Sequence, residues 1–191
     1  MAIKTFTTGE VLTAADTNTY LNNGGLVYLN VLQLTGQSNG SINNVFTSDY
    51  ANYRLEFNFG AASGNIAYYL RLRAGGVDET GAAAYRYAYR GLNSTGGSED
   101  VSSNGANALY ITNVPTTAGR SFTNIDLFSP QAASTYTVLN VNSQFHDAGG
   151  IMWRGGGGFV LVNTQFDSFT IGTLSASTAT VTCRIYGYRQ A

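Results

Sequence analysis

Residues 53–59 read Tyr-Arg-Leu-Glu-Phe-Asn-Phe, with an apolar side chain at every second position and a polar one between. This period of two is typical of a β-strand that buries one face and exposes the other. The same alternation recurs as Tyr-Tyr-Leu-Arg-Leu-Arg at 68–73 and as Tyr-Arg-Tyr-Ala-Tyr-Arg at 85–90. The sequence therefore predicts three half-buried strands.

Apolar runs bounded by Gly, Ser and Asn predict seven further strands. They cover residues 26–34, 108–112, 121–128, 136–141, 158–162, 168–171 and 180–188. Turn-forming clusters separate them, for instance at 36–40 and 94–98. This spacing, with no alternation of strands and helices, favours an all-β fold, an antiparallel β-sandwich of jelly-roll type, over a parallel nucleotide-binding sheet.

The composition suits a sheet protein that associates with other copies. Of 191 residues, 43% are hydrophobic, which is enough for a core, but only 11% are charged. The formal net charge of −1 leaves no basic surface for nucleic acid and no polybasic cluster for a membrane, so we expect neither partner. A charge near zero also causes little repulsion between copies.

One pattern in the chain is that of a hydrolase nucleophile. Residues 36–40 (Gly-Gln-Ser-Asn-Gly) fit G-x-S-x-G around Ser38, and Asp126 and His146 follow in the order that such enzymes use. The motif needs a helix after the serine to lift its hydroxyl, whereas a further strand is predicted here. We therefore interpret the segment as a turn, and we expect no enzymatic activity and no catalytic residue.

The remaining reactive residues favour structural roles. The acidic pairs at 78–79 and 99–100 lack the dense ladder of oxygen ligands that calcium requires, and one histidine with one cysteine offers no zinc site. We expect no metal and no cofactor. Cys183 lies within an apolar run and is interpreted as a buried, inert thiol.

The first 24 residues carry the helix signal of the sequence. Thr13-Ala14-Ala15-Asp16 is typical of a capped helix start, and Gly24-Gly25 ends the segment. We expect a helix of about two turns, and we divide the chain into an arm (1–24) and a sandwich body (25–191). Because so short a helix buries little surface alone, the arm is expected to dock on a neighbour.

Residues 6–21 (FTTGEVLTAADTNTYL) resemble the opening of many fibre and surface proteins of tailed bacteriophages. Those proteins begin with an aromatic residue, then Gly-acidic-Val-Leu-Thr-Ala, then an Asn followed by Tyr-Leu. The segments 46–55, 70–73 and 184–189 are similar to the β-sandwich at the distal end of such proteins.

The resemblance implies a structural role in a phage particle, as a head fibre, capsid decoration (cement) protein or short tail fibre. It implies a homotrimer on the virion surface, made in the host cytoplasm without a signal peptide. The arm would anchor the body to the major capsid protein or another virion protein. The anchoring residues would be Phe6, Val11, Leu12, Thr13, Tyr20 and Leu21.

An alternative function is a receptor-binding tip or adhesin that recognises cell-surface glycans. Trp153 precedes the glycine run 155–158, which indicates a flexible loop or a close approach of backbones around a symmetry axis. The expected glycan or subunit contacts are Trp153, Tyr85, Tyr87, Tyr89 and Arg86.

Overall fold

The structure is a computed structural model, and it describes residues 7–11, 13, 25–116, 121–147, 150–173 and 175–189. Within those residues thirteen strands form two antiparallel sheets, and no helix is present. The strands are β1 (Leu26–Gln37), β2 (Asn39–Ile42), β3 (Asn52–Ala62), β4 (Ile66–Ala74), β5 (Val77–Asp78), β6 (Tyr85–Asn93), β7 (Ser98–Ala106), β8 (Leu109–Val114), β9 (Ser121–Phe128), β10 (Thr137–Asp147), β11 (Gly150–Val160), β12 (Ser168–Thr173) and β13 (Ala179–Tyr188).

The larger sheet has eight strands in the order β1-β13-β3-β9-β10-β11-β6-β7. The smaller sheet has the order β2-β12-β4-β5, and β8 also pairs with β4. We call β10, β11, β6 and β7 the wing, because these four strands extend the larger sheet beyond β9.

The predicted alternation decides which side chains fill the space between the sheets. Leu55 and Phe57 of β3 are fully buried, as are Leu70 and Leu72 of β4 in the facing sheet. The rings of Phe59 and Tyr68 meet across the interior with centroids 4.9 Å apart. Each such side chain contributes roughly 1.5–3 kcal/mol by its burial, so this two-layer core holds the sandwich together.

All ten predicted strands overlap observed ones, and β9 has the predicted ends. The sequence missed β2, β5 and β7, which are too short or too polar to show apolar alternation. The flexible loop predicted at 155–158 is wrong, because these glycines lie inside β11 and pair with both β10 and β6. Backbone hydrogen bonds to β10 and β6 hold the run as a strand, and these bonds do not require side chains.

The predicted helix of the arm lies outside the described residues, except for Thr13. The described part of the arm contains a turn, in which the Glu10 amide donates to the Thr7 carbonyl at 3.0 Å. The Glu10 carboxylate accepts from the Thr7 amide at 3.1 Å. Among the described residues, no helix has the length and apolar character needed to cross a membrane.

Candidate functional site: the outer face of the larger sheet

The outer face of the larger sheet exposes seven large apolar side chains on four neighbouring strands, β9, β10, β11 and β6. Their exposed fractions lie between 36% and 63%. We call this set the apolar face; it comprises Leu92, Phe122, Phe128, Val138, Ile151, Trp153 and Phe159. Single exposed apolar residues are ordinary on a protein surface, whereas a cluster on one sheet face is typical of an interaction site.

Strand register arranges the apolar face in two bands. In the first band Phe159 of β11 pairs with Val138 of β10, which pairs with Phe128 of β9. In the second band Trp153 of β11 pairs with Leu92 of β6. Six residues separate the bands along β11, which is about 20 Å at the rise of a strand.

At the start of β9, burial is opposite to what hydrophobicity alone favours, although Ile125 and Leu127 further along the strand are buried as expected. Phe122 points outward, whereas its neighbour Thr123 is buried. The hydroxyl of Thr123 lies 3.0 Å from that of Ser143, which in turn donates to Thr112 at 2.8 Å. Because these buried hydroxyls satisfy one another, polar groups lie inside and a phenylalanine outside. The exposure of Phe122 is therefore fixed by the register of the sheet.

The indole of Trp153 extends from the second band over Gly155 of β11. A Cβ at Gly155 would lie 2.7 Å from Cζ2 of the indole, so only glycine leaves room for the ring there. The indole Nε1 donates to Oδ1 of Asn142 at 3.0 Å. The side chain is 41% exposed, so Trp153 presents an aromatic surface to solvent, and its contact with a glycan or a subunit stays a prediction.

The inward-facing glycines of β11 allow β6 to approach closely. A Cβ at Gly156 would lie 2.2 Å from the carbonyl oxygen of Ala88, and one at Gly158 would lie 2.6 Å from that of Arg86. Both neighbours are backbone atoms that no change of rotamer can move. The sequence indicated a close backbone approach around a symmetry axis, whereas the approach seen here is made by β6 of the same chain.

The tyrosines of β6 face the interior. Tyr85 is fully buried and Tyr89 is 3% exposed, whereas Tyr87 is half-buried and Arg86 is exposed. The prediction that Tyr85 and Tyr89 contact a glycan or a neighbouring subunit is wrong. Strand alternation turns the tyrosines inward and the arginines outward. Burial raises the pKa of the Tyr85 and Tyr89 hydroxyls.

Arg154 is buried directly beneath the wing, and sequence reasoning missed it. Its side chain is 1% exposed, its Nη2 donates to Oε2 of Glu99 at 2.6 Å, and its Nη1 donates to the Tyr110 hydroxyl. The guanidinium carbon lies 5.0 Å from the Tyr110 ring centre and 4.8 Å from that of Phe145. Desolvation raises the pKa of Tyr110 to about 12, against the opposing effect of Arg154. This cluster fixes the wing to β8 of the other sheet.

The three residues of the hydrolase pattern, Ser38, Asp126 and His146, do not form one site. Ser38 follows β1 and His146 lies on β10, with three strands between, so about 19 Å of sheet separates them at the usual strand spacing. The Asp126 carboxylate accepts from Nε of Arg54 at 2.7 Å and from the Tyr188 hydroxyl at 2.6 Å. Asp126 is therefore engaged away from His146.

Three of the four acidic residues considered as calcium ligands, Asp78, Glu99 and Asp100, are paired with arginines. Asp78 lies 2.9 Å from Nε of Arg73, and Asp100 lies 3.8 Å from Nε of Arg90. Over the described ranges, no group of three or more His, Cys, Asp or Glu side chains is placed to hold a metal ion. Cys183 is fully buried, as predicted, and burial raises the pKa of its thiol.

Only part of the predicted anchoring set is described. Val11 is 79% exposed and Thr13 is also exposed. The other four residues of that set, Phe6, Leu12, Tyr20 and Leu21, lie outside the described residues. An apolar side chain as exposed as Val11 is available to a partner. No protein family, curated protein or solved structure matches this chain.

Proposed function

We propose that this chain is a non-enzymatic structural component of a tailed-phage particle. It would be a surface fibre or decoration protein, anchored by its arm and projecting a β-sandwich as a homotrimer. The observation that carries the proposal is the apolar face, because seven apolar side chains on four adjacent strands suit contact between copies.

The strand order supports a jelly-roll type for the sandwich. Without β5 and the wing, eight strands remain, and their sheets read β1-β13-β3-β9 and β2-β12-β4-β8. Numbered along the chain, these orders are one-eight-three-six and two-seven-four-five, which is the order of two Greek keys in a jelly roll. Viral capsid domains commonly have this architecture, in keeping with a virion role.

The wing is the part added to that eight-strand arrangement, and it carries most of the apolar face. Only Phe122 and Phe128 come from β9; the other five side chains belong to β6, β10 and β11. An extension that adds exposed apolar surface to a sandwich lowers its solubility unless a partner covers it. We therefore assign the wing to subunit association.

The charges near the apolar face favour a second copy as its partner. Arg54 is paired with Asp126 at 2.7 Å, and Arg90 with Asp100 at 3.8 Å, so two of the arginines there already have opposite partners. The net charge of −1 adds little repulsion between copies. Association driven by apolar contact should depend weakly on salt.

The virion role is tested with particles stripped of this protein. The full chain and a chain lacking residues 1–24 are each mixed with such particles and separated by sedimentation. Every described strand begins after residue 25, so the deletion removes none of them. We expect the full chain to bind and the shortened chain not to bind. Failure of the full chain to bind any phage particle would contradict the proposal.

A second candidate function is glycan recognition through the indole of Trp153. The indole N–H is satisfied by Asn142 and the side chain is 41% exposed, which suits a platform for a sugar ring. This function competes with subunit contact for the same surface. A monomeric chain whose glycan binding is lost in Trp153→Ala would favour the adhesin over the assembly protein.

A further inference from the structure

A depression lies on the outer face of the smaller sheet, on the side of the sandwich away from the apolar face. Its volume is about 480 Å³, within the roughly 300–1,000 Å³ range of small-molecule sites. β4 contributes Tyr69, Arg71 and Arg73, which alternate with its buried residues. Gly172 of β12 keeps the floor low, since a Cβ there would lie 2.8 Å from Cβ of Asn39.

One wall of the depression is a fixed ion pair. Nε of Arg73 lies 2.9 Å from Oδ1 of Asp78, and the two side chains are 15% and 26% exposed. Nη2 of Arg73 also donates to the carbonyl of Gly76, and Thr170 donates to the same Asp78 oxygen at 2.6 Å. Arg73 is therefore engaged by the protein itself.

Arg71 has free hydrogen-bonding capacity. Its Nε donates to the carbonyl of Asn107 at 3.0 Å, and its two terminal nitrogens make no hydrogen bond with any described residue. The depression thus contains two arginines against one aspartate, an excess of one positive charge. A guanidinium with both terminal nitrogens available binds a carboxylate through two parallel hydrogen bonds.

The rest of the lining suits hydroxyl groups and a ring. The Ser41 hydroxyl lies 2.7 Å from that of Thr170, and because Thr170 donates to Asp78, Ser41 is the donor to Thr170. Lone pairs of Ser41 and the second oxygen of Asp78 remain as acceptors. The ring of Tyr69 stands edge-on to that of Tyr110, with centroids 5.7 Å apart, so it is held in place beside the depression.

We propose that this depression binds a saccharide that carries a carboxylate, such as a uronic or sialic acid unit. Arg71 receives the carboxylate, Ser41 and Asp78 accept from ring hydroxyls, and Tyr69 contacts the ring carbons. A simple anion would contact only Arg71. A neutral sugar would leave the positive charge of Arg71 without a partner. The inference stands apart from the proposed virion role, since it rests on a different sheet.

The test is calorimetric titration of the full chain with four probes: an oligogalacturonate, sialyllactose, lactose and inorganic phosphate. We expect saturable binding of at least one acidic saccharide. The probe that binds more tightly shows whether the depression prefers a uronic or a sialic acid unit. Lactose should bind at least about tenfold more weakly because it offers Arg71 no anionic partner, and phosphate likewise because it makes no contact with Ser41, Asp78 or Tyr69.

Two substitutions at Arg71 test the assignment. Arg71→Gln should weaken acidic saccharide binding by about tenfold or more. The affinity of Arg71→Lys should lie between those of the parent and Arg71→Gln, because lysine keeps the charge but lacks the planar guanidinium. Arg90→Gln removes the same charge from the exposed surface of the wing and should leave affinity unchanged. The proposal is overturned if neither acidic saccharide binds or if lactose or phosphate binds as tightly as the acidic saccharide. It is also overturned if Arg71→Gln and Arg90→Gln have the same affinity for that saccharide.

Discussion

Replacing Gly156 with alanine tests whether the glycine run is a central strand of the wing. In the structure, the added methyl group would lie 2.2 Å from the Ala88 carbonyl oxygen and 2.8 Å from Cα of Tyr89. Both are backbone atoms of β6, so the substitution must push β6 and β11 apart. In a loop, the same substitution would meet no such obstacle.

The expected magnitude follows from two opposing effects. Overpacking against atoms that cannot turn away costs about 1–3 kcal/mol or more. Removing a glycine from a strand restores about 0.5–1 kcal/mol, because alanine loses less conformational entropy on folding. We therefore expect Gly156→Ala to lower the free energy of unfolding by about 1–2 kcal/mol, or the melting temperature by about 2–8 °C for a domain of this size.

The assay is urea denaturation followed by the fluorescence of Trp153, the single tryptophan of the chain. Gly60→Ala in β3 is the matched control, because its Cβ would make an ordinary contact of 3.5 Å with Cβ of Thr180. The control should be neutral or slightly stabilising. Equal stability of the two variants would refute the close approach of β6 and β11.

Three further predictions concern the buried cluster, the tyrosines and the assembly. Glu99→Gln should lower the free energy of unfolding in urea by about 1–2 kcal/mol, less than the loss of a fully buried partner, because Glu99 is 42% exposed; an unchanged value would contradict the role of the Arg154 pair. Because burial raises the pKa of Tyr110 to about 12, its neutral form favours the fold, so stability should hold below about pH 10 and fall between about pH 10 and 12. The tyrosinate absorbance lost in Tyr110→Phe should appear in the folded parent only well above the ordinary tyrosine pKa of about 10, and its appearance at that pH would refute burial. The sedimenting mass of the oligomer should be equal in low salt and in about 1 M NaCl, and dissociation there would show that ion pairs hold the copies together.

Alternation was sufficient to predict the core strands and β6 of the wing, but not the edge strand β7 or the glycine run of β11. The pattern in 53–59 gave both the strand and its buried face, because every second residue there is large and apolar. β7 (Ser98–Ala106) has no such pattern, since its place at the sheet edge buries little. The run at 155–158 carries no side-chain signal at all, so only its pairing with two neighbours identifies it as a strand.

Of the seven side chains of the apolar face, the sequence analysis singled out Trp153 and missed the other six. Trp153 is exposed, as expected for a contact residue, but the exposure of Phe122 depends on hydroxyls that Thr123 shares with distant strands. In the sequence, Arg154 was noted only as a neighbour of the glycine run. It lies two residues after buried Met152 in the same strand, so both side chains point into the interior. Such choices depend on contacts across the sandwich, which local sequence does not encode.

Self-association through the apolar face is tested most directly by the mass of the full chain in solution, measured by light scattering over a range of concentrations. Phe159→Asn alters the first band, and Val77→Asn, at a position 72% exposed on β5, is its control. The account predicts a trimer for the full chain and the control, and dissociation of Phe159→Asn at concentrations where both remain trimeric. A monomeric full chain at every concentration, or a Phe159→Asn trimer as stable as the parent, would contradict it.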